Sequence, residues 1–348
     1  MHDGRLYLQG WFELQIQIDP HNKLDVKLIS IETRIGRIAY LQLRYANLNS
    51  VTVRAPATTA NLGPGFDSIG MALDLWNELT ITRGEFTVST VGEGADLVPQ
   101  DTRNLIVTGV EAIFNHIGEP VPGLQYHCTN AIPFARGLGS SSSAIVSGLL
   151  AGSAISGADL SKEELTILAA DIEGHPDNVA PAIYGGCTVG VRNGSEDWIV
   201  DQVKVPKDLY AVLYIPEILT NTHESRAVLP DHISRTDAVY NIGRAALLVN
   251  ALSTGRLELL KHATDDRLHQ PHRAQAFRAM PYLIAAAIKG GAHGAFLSGS
   301  GPSVLALATG REVTISYEMS ETARTHGVDG KPMILGVAHE GATVVASS

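Results

Sequence analysis

Apolar and polar positions change rhythm several times along the chain. In residues 1–48, Leu14, Ile16 and Ile18 alternate with Gln15 and Gln17, and Ala39, Leu41 and Leu43 alternate with Tyr40, Gln42 and Arg44; this period of two predicts strands. A new strand begins at Ser50 with Val51 and Val53. It gives way to a stretch rich in Ala, Pro, Thr, Asn and Gly through Asp67, which reads as turn chemistry. After Asp101 and Thr102, apolar residues recur about every 3.6 positions at Leu105, Val107, Val110, Ile113, Phe114 and Ile117, predicting a helix that stops before Gly118 and Pro120. Leu124 to Cys128 reads as a short strand, and Pro133 to Ser143 as a loop running into a small-residue apolar helix, Ala144 to Leu150.

Ser161, Lys162, Glu163 and Glu164 form a capping box, so a helix starts there and leads to Asp171–Asn178. Cys187–Arg192 and Tyr210–Ile215 read as strands, followed by two or three helices between about 234 and 289. Ala295–Ala308 reads as strand, turn, strand, centred on Ser298-Gly299-Ser300-Gly301-Pro302. Taken alone, this spacing predicts a two-domain α/β protein, with residues 1–48 as an extension, one domain over 49–205 and a second over 206–348, dividing near Val205 and Pro206.

Composition narrows the classes. The chain has 348 residues with 26 Lys and Arg against 36 Asp and Glu, a net charge of −10, and no basic block, so a nucleic-acid partner is not expected. Cys128 and Cys187 are far apart, which excludes a disulfide framework and a cysteine zinc site and fits a reducing cytoplasm. No apolar run reaches about 18 residues, and Met1-His2-Asp3-Gly4-Arg5 is not followed by an apolar core, so neither a membrane span nor a signal peptide is expected.

Three segments have chemical potential. The first is Pro133-Phe134-Ala135-Arg136-Gly137-Leu138-Gly139-Ser140-Ser141-Ser142-Ser143. Its glycines let backbone amides approach an anion, and the helix that follows offers unpaired N–H groups and a positive dipole end, which suits polyphosphate. The serine hydroxyls add donors and an oxygen ligand for magnesium. Lysine is missing after the glycines, so this is not a P-loop; a flexible linker is the alternative, weakened because an apolar helix follows directly. The second segment, Ala55 to Gly70, holds Asn61 and Asp67 in a loop stiffened by Pro56 and Pro64. The third, Glu173-Gly174-His175-Pro176-Asp177-Asn178-Val179-Ala180-Pro181, crowds two carboxylates, an imidazole and an amide together, a set suited to metal or polar substrate and equally to a helix-ending turn.

With these motifs in that order, followed by Ser298 to Ser303, the sequence resembles the GHMP small-molecule kinases, and within them the homoserine kinase family, over about residues 50 to 345. The resemblance implies an α+β protein, with a ribosomal-S5-like N-terminal domain and a ferredoxin-like C-terminal domain around ATP and L-homoserine. By the same carry-over, Pro133–Ser143 wraps the triphosphate, Ser141 and Glu173 hold Mg2+, and Asn104 contacts adenine. Arg226 and Arg273 fork onto the substrate carboxylate and Asp67 faces its ammonium, while Asn61, His175, Thr222 and Asn178 surround the amino acid. Asp177, Asn178 and Arg273 fall nearest the reacting atoms. Asp177 as base and direct proton passage to phosphate both stay open.

Residues 1–48 precede the family's usual start, as an added hairpin or as upstream sequence outside the working protein; no Met lies between Met1 and Met71, so the second alternative needs a non-Met start near Leu48 or Val51. The alternatives are a GHMP kinase acting on mevalonate or a sugar, which would leave Asp67 and the arginines without a joint purpose, and a non-catalytic ATP-binding regulator, which the Ser141 and Glu173 pair argues against. The oligomeric state stays open, a homodimer being one option.

Overall fold

The computed structural model describes residues 48–194, 197–220 and 222–348, without the side chains of Asp197, Thr222 and His223. The strand periodicity read in residues 1–47 lies outside the described residues. The first half of the chain runs β1 (Ser50–Ala60), β2 (Ile69–Arg83), β3 (Thr87–Gly92), α1 (Leu105–Ile117), β4 (Leu124–Asn130), α2 (Ser140–Ser156), α3 (Lys162–Glu173), α4 (Pro176–Tyr184), β5 (Cys187–Asn193) and β6 (Asp197–Val203). The second runs β7 (Tyr210–Pro216), α5 (Thr222–Ala227), α6 (Arg235–Thr254), α7 (Leu260–Ala263), α8 (Gln270–Arg273), α9 (Met280–Gly290), β8 (Gly294–Leu297), β9 (Val304–Ala308), α10 (Glu312–Thr325), β10 (Gly330–Gly336) and β11 (Thr343–Ser347).

Two sheets result. The first has the order β11-β1-β2-β4-β3, with β5 bridging β2 to β6, and only the β3–β4 pair is parallel. The second, β10-β7-β9-β8, is antiparallel throughout. Antiparallel pairing of every neighbouring pair of strands but β3–β4 defines an α+β fold and corrects the α/β expectation drawn from spacing. The second sheet's strand order reads 4-1-3-2 in its own chain sequence, the split βαβ arrangement of ferredoxin-like domains. The chain changes sheets between Val203 and Tyr210, yet β11 returns to pair with β1, so the first sheet is closed by the last strand.

Alternation explains the layers. In β4, Leu124, Tyr126 and Cys128 are buried beneath α1 and α2 while Gln125, His127 and Thr129 face outward. In β7, Val212 and Tyr214 face α9 and α10, whereas Ala211, Leu213 and Ile215 face a core shared with Leu62, Leu73, Ile132 and Leu138 of the first sheet's side. Burying each such leucine contributes roughly 1.5–3 kcal/mol, so this shared core fixes the two sheets against one another. The cleft between them is therefore preformed.

Several predicted boundaries move. The segment read as turn from Ala55 onward is strand to Ala60, because α2 and α4 cover it; its proline sits where the register against β2 shifts, between Pro56 and Ala57. Helix α2 starts at Ser140, four residues before Ala144, so the serines form its first turn. The helix started by the capping box leads to Asp171–Asn178 as read, ending at Glu173, and Gly174 at φ 91° breaks the chain before Pro176 opens α4. Four short or long α-helices, α6 to α9, stand where two or three were expected. Among the described residues, no helix is long and apolar enough to cross a membrane.

Candidate active site

The glycine and serine loop is stitched to both halves of the molecule. Gly137 and Gly139 hold left-handed φ angles of 73° and 68°, and a Cβ on Gly139 would lie 1.8 Å from Thr58 Oγ1. Thr58 N donates to the Leu138 carbonyl at 3.1 Å, and Ser298 Oγ donates to the Gly137 carbonyl at 2.6 Å. Arg136, expected among the phosphate-binding residues, donates to the carbonyls of Phe134 and Glu217 at 3.2 and 3.0 Å, so its guanidinium fastens the loop. Gly139 then caps α2 with no side-chain bond. The first amides of α2 consequently face a cavity of about 310 Å³ with the positive dipole end behind them.

Glu173, the last residue of α3, reaches this helix start. Ser141 Oγ and Ser142 Oγ both donate to its Oε1, at 2.9 and 3.0 Å. Ser143 turns away to the Ala55 carbonyl at 3.2 Å. Three hard oxygen donors thus converge beside the unpaired amides of the α2 start, a donor set that fits Mg2+.

The break at Gly174 aims the next residues into the same cavity. His175 Nδ1 donates to Asp177 Oδ1 at 2.6 Å, Asn178 Nδ2 donates to the same oxygen at 3.3 Å, and Thr58 Oγ1 donates to Asn178 Oδ1 at 2.8 Å. Burial opposes a charge on His175, but the hydrogen bond and charge of Asp177, with Asp67 and Glu173 beyond, raise its pKa above the ordinary imidazole value. Ligand atoms of Asp67, His175 and Asp177 lie within 4.8 Å of one another.

At the opposite end, Arg226 donates Nη1 to Asp67 Oδ2 and Nη2 to Asp67 Oδ1, both at 2.8 Å. The sequence expectation set Arg226 and Asp67 on opposite ends of a substrate; the structure joins them directly, because matched charges within reach of a two-pronged fork pair with each other. Arg273 is buried, donating to the Gly299 carbonyl at 3.0 Å and to His269 Nδ1 at 3.1 Å. Burial and the like charge of Arg226 lower its pKa to about 10, which leaves it cationic at neutral pH. The Phe66 ring lies against both guanidiniums, 5.3 Å from Arg226 and 5.7 Å from Arg273. Asn61 holds the neighbouring turns together, donating to the Gly299 carbonyl at 3.0 Å and accepting from Asp67 N at 3.1 Å.

Asn104 lines the cavity, but its amide is already engaged: Oδ1 caps α1 by accepting from Ile106 N at 3.1 Å, and Nδ2 donates to the Pro99 carbonyl at 2.7 Å. The cap shapes the cavity wall, and each of the two amide atoms keeps a second hydrogen-bonding position. Thr222 opens α5, and its side chain lies outside the described residues. Thr58, Phe66 and His269 were not singled out from the sequence. His269 stands four residues before Arg273, a spacing that on a helix or tight turn brings two side chains together and could have exposed it.

A family model for the GHMP kinases N terminal domain matches residues 104–186, and one for the GHMP kinases C terminal matches residues 247–323. The helix α2 with its serine-rich start lies within the first match, and the two halves of the chain are thus those of a GHMP kinase. The homoserine kinase of Desulfitobacterium hafniense is 42% identical over 297 residues, covering 85% of this chain and 100% of that protein. That of Moorella thermoacetica is 42% identical over 294 residues, covering 84% and 99%. The crystal structure of homoserine kinase from Cytophaga hutchinsonii superposes with a TM-score of 0.77 at 27% identity, covering 89% of this chain and 100% of that one. The chain belongs to the homoserine kinase family.

Proposed function

We propose that this chain transfers the γ-phosphate of ATP to the side-chain hydroxyl of L-homoserine, giving O-phospho-L-homoserine and ADP, a step of threonine biosynthesis. The observation that carries this reading is one cavity lined by the Gly139–Ser141 helix start at one end and by Asp67, Arg226 and Arg273 at the other. Mevalonate and sugars lack the ammonium that Asp67 would match.

The amides at the head of α2 bind the triphosphate, and the wall shaped by Pro99, Asn104 and Leu105 receives the base. Ser141 and Glu173, joined by Ser142, would hold Mg2+, which would supply charge neutralisation for the transferring phosphoryl group. Arg226 and Arg273 take the substrate carboxylate and Asp67 its ammonium. Asn178, oriented by Thr58, holds the hydroxyl in line. Asp177 Oδ1 already accepts from His175 and Asn178, and the loose transition state of phosphoryl transfer needs no strong base, so the hydroxyl proton passes to a phosphoryl oxygen. ATP supply places this reaction in the cytoplasm. The test is ADP release with magnesium-ATP across L-homoserine, mevalonate, galactose and L-serine; turnover with mevalonate or galactose above that with L-homoserine would refute it.

A further inference from the structure

Arg273 is held on three sides. Its Nη1 donates to His269 Nδ1 at 3.1 Å and to the Gly299 carbonyl at 3.0 Å, and its Nε donates to the Ser225 carbonyl at 3.3 Å. These bonds occupy the Nη1 and Nε hydrogens, and Nη2 has no hydrogen-bond partner among the described residues in a guanidinium that lines the cavity.

His269 supplies the side-chain member of that anchor. Its Nε2 lies 2.8 Å from the Gly63 carbonyl, which can only accept, so Nε2 carries the hydrogen and Nδ1 presents a lone pair. Burial keeps the ring neutral. Asp266 Oδ2 accepts from the backbone amides of His269 and Gln270 at 2.9 and 2.7 Å, and the ring stacks on Phe66 with centroids 5.4 Å apart. The imidazole can therefore neither rotate nor exchange its two nitrogens without losing a bond.

We propose that His269 is a positioning residue, whose Nδ1 lone pair fixes the rotation of Arg273 so that Nη2 meets the carboxylate of the amino-acid substrate. This rests on the reading of Arg273 as a carboxylate ligand. A free arginine samples many rotamers and loses that freedom on binding; one anchored beforehand does not.

Two amide substitutions separate positioning from simple structural support. In His269→Asn the amide oxygen replaces Nδ1 and keeps an acceptor for Arg273, whereas in His269→Gln the terminal nitrogen replaces Nε2 and keeps the bond to Gly63. The homoserine KM is expected to rise about tenfold or more in His269→Gln and at most about threefold in His269→Asn, with the ATP KM steady within about twofold in both. Equal effects, or the larger effect in His269→Asn, would overturn the positioning role. Arg273→Ala is the control: an unchanged homoserine KM there overturns the carboxylate reading itself and the present one with it, while a raised KM with equal effects of the two His269 variants overturns only the positioning. Should neither variant fold, as judged by Tm, nitrogen-15 NMR of the wild-type ring decides. A neutral Nε2–H tautomer through about pH 6 to 8 is expected, and an Nδ1–H signal overturns the proposal, since a protonated Nδ1 cannot accept from Arg273.

Discussion

Arg226 and Asp67, 159 residues apart in sequence, meet as a fork on a carboxylate, with both N–O distances at 2.8 Å. Their side chains are 43% and 33% exposed, so the pair is screened by solvent and adds at most about 1 kcal/mol to stability. Its chemical meaning lies in exchange. A zwitterion can part the two charges and pair with each, whereas a plain acid or plain amine leaves one of them stranded.

Asp67→Asn and Arg226→Ala are accordingly expected to leave Tm within a few degrees of wild type while raising the homoserine KM by tens to thousands of fold, since stranding a charge costs about 2–5 kcal/mol. ATP Kd stays close to wild type. Loss of ATP binding with an unchanged homoserine KM would reverse the assignment of the two ends of the cavity.

Removing the carboxylate that both serines address is expected to weaken magnesium binding at the proposed site. Glu173→Gln is expected to lower kcat by about a hundredfold or more and to raise the magnesium concentration needed for half-maximal rate, because a neutral amide is a poorer ligand for a hard cation. Ser141→Ala has a smaller effect of the same kind, since Ser142 still contacts Glu173. An unchanged magnesium dependence in Glu173→Gln counts against this metal site.

The His175 imidazole titrates above its ordinary value of 6.5: burial opposes the charge, and Asp177, Asp67 and Glu173 outweigh it. A raised folded value means that the stabilisation is fully present below the unfolded value and is lost as pH rises through the folded one. Tm measured without metal from about pH 6 to about pH 9 is therefore expected to fall more steeply for wild type than for His175→Gln. Parallel curves would mean that the ring titrates alike in the folded and unfolded states, against the raised value.

Gly139→Ala tests the loop that caps α2. A left-handed φ of 68° and a Cβ 1.8 Å from Thr58 Oγ1 force either the loop or β1 to move. The variant is expected to lose roughly 1–3 kcal/mol of stability and to bind ATP more weakly, with the homoserine KM affected less. Calorimetry and ATP titration read the two effects, and a variant with wild-type ATP affinity would remove the loop from the nucleotide site.

A chain starting at Asn49 is expected to fold and to keep homoserine-dependent ADP release. Its first strand is already paired on both sides, by β2 and β11, and the Asn49 and Ser50 amides donate to the Ser348 carbonyl at 2.5 and 3.1 Å. Insoluble product would show that residues 1–48 pack against the sheets.

Local chemistry was enough to foresee much of this molecule. The capping box at Ser161 and Glu164 forms as read, both of its bonds present, because its partners are three residues apart and need nothing else. The helix read from Leu105 to Ile117 and the alternation of Leu124 to Cys128 likewise form, with Val107, Val110, Ile113 and Phe114 on the buried face of the helix, although its first member Leu105 is exposed. The glycine and serine loop from Pro133 that runs into a helix was legible for the same local reason, its glycines and the helix behind it being contiguous. Other features depended on neighbours distant in sequence. Ala55–Ala60 becomes strand because α2 and α4 bury it, a cover that its composition does not announce. The alignment of Asp67 with Arg226, the capture of Glu173 by two serines, and the anchoring of Arg273 by His269 each require elements from separate parts of the chain to meet in one cleft. Side-chain type told which residues could do chemistry. Which of them touch one another was decided by the shared apolar core between the two sheets, since only that packing brings the loop after β1, the head of α2 and the turns around α5 and α8 within a few ångströms.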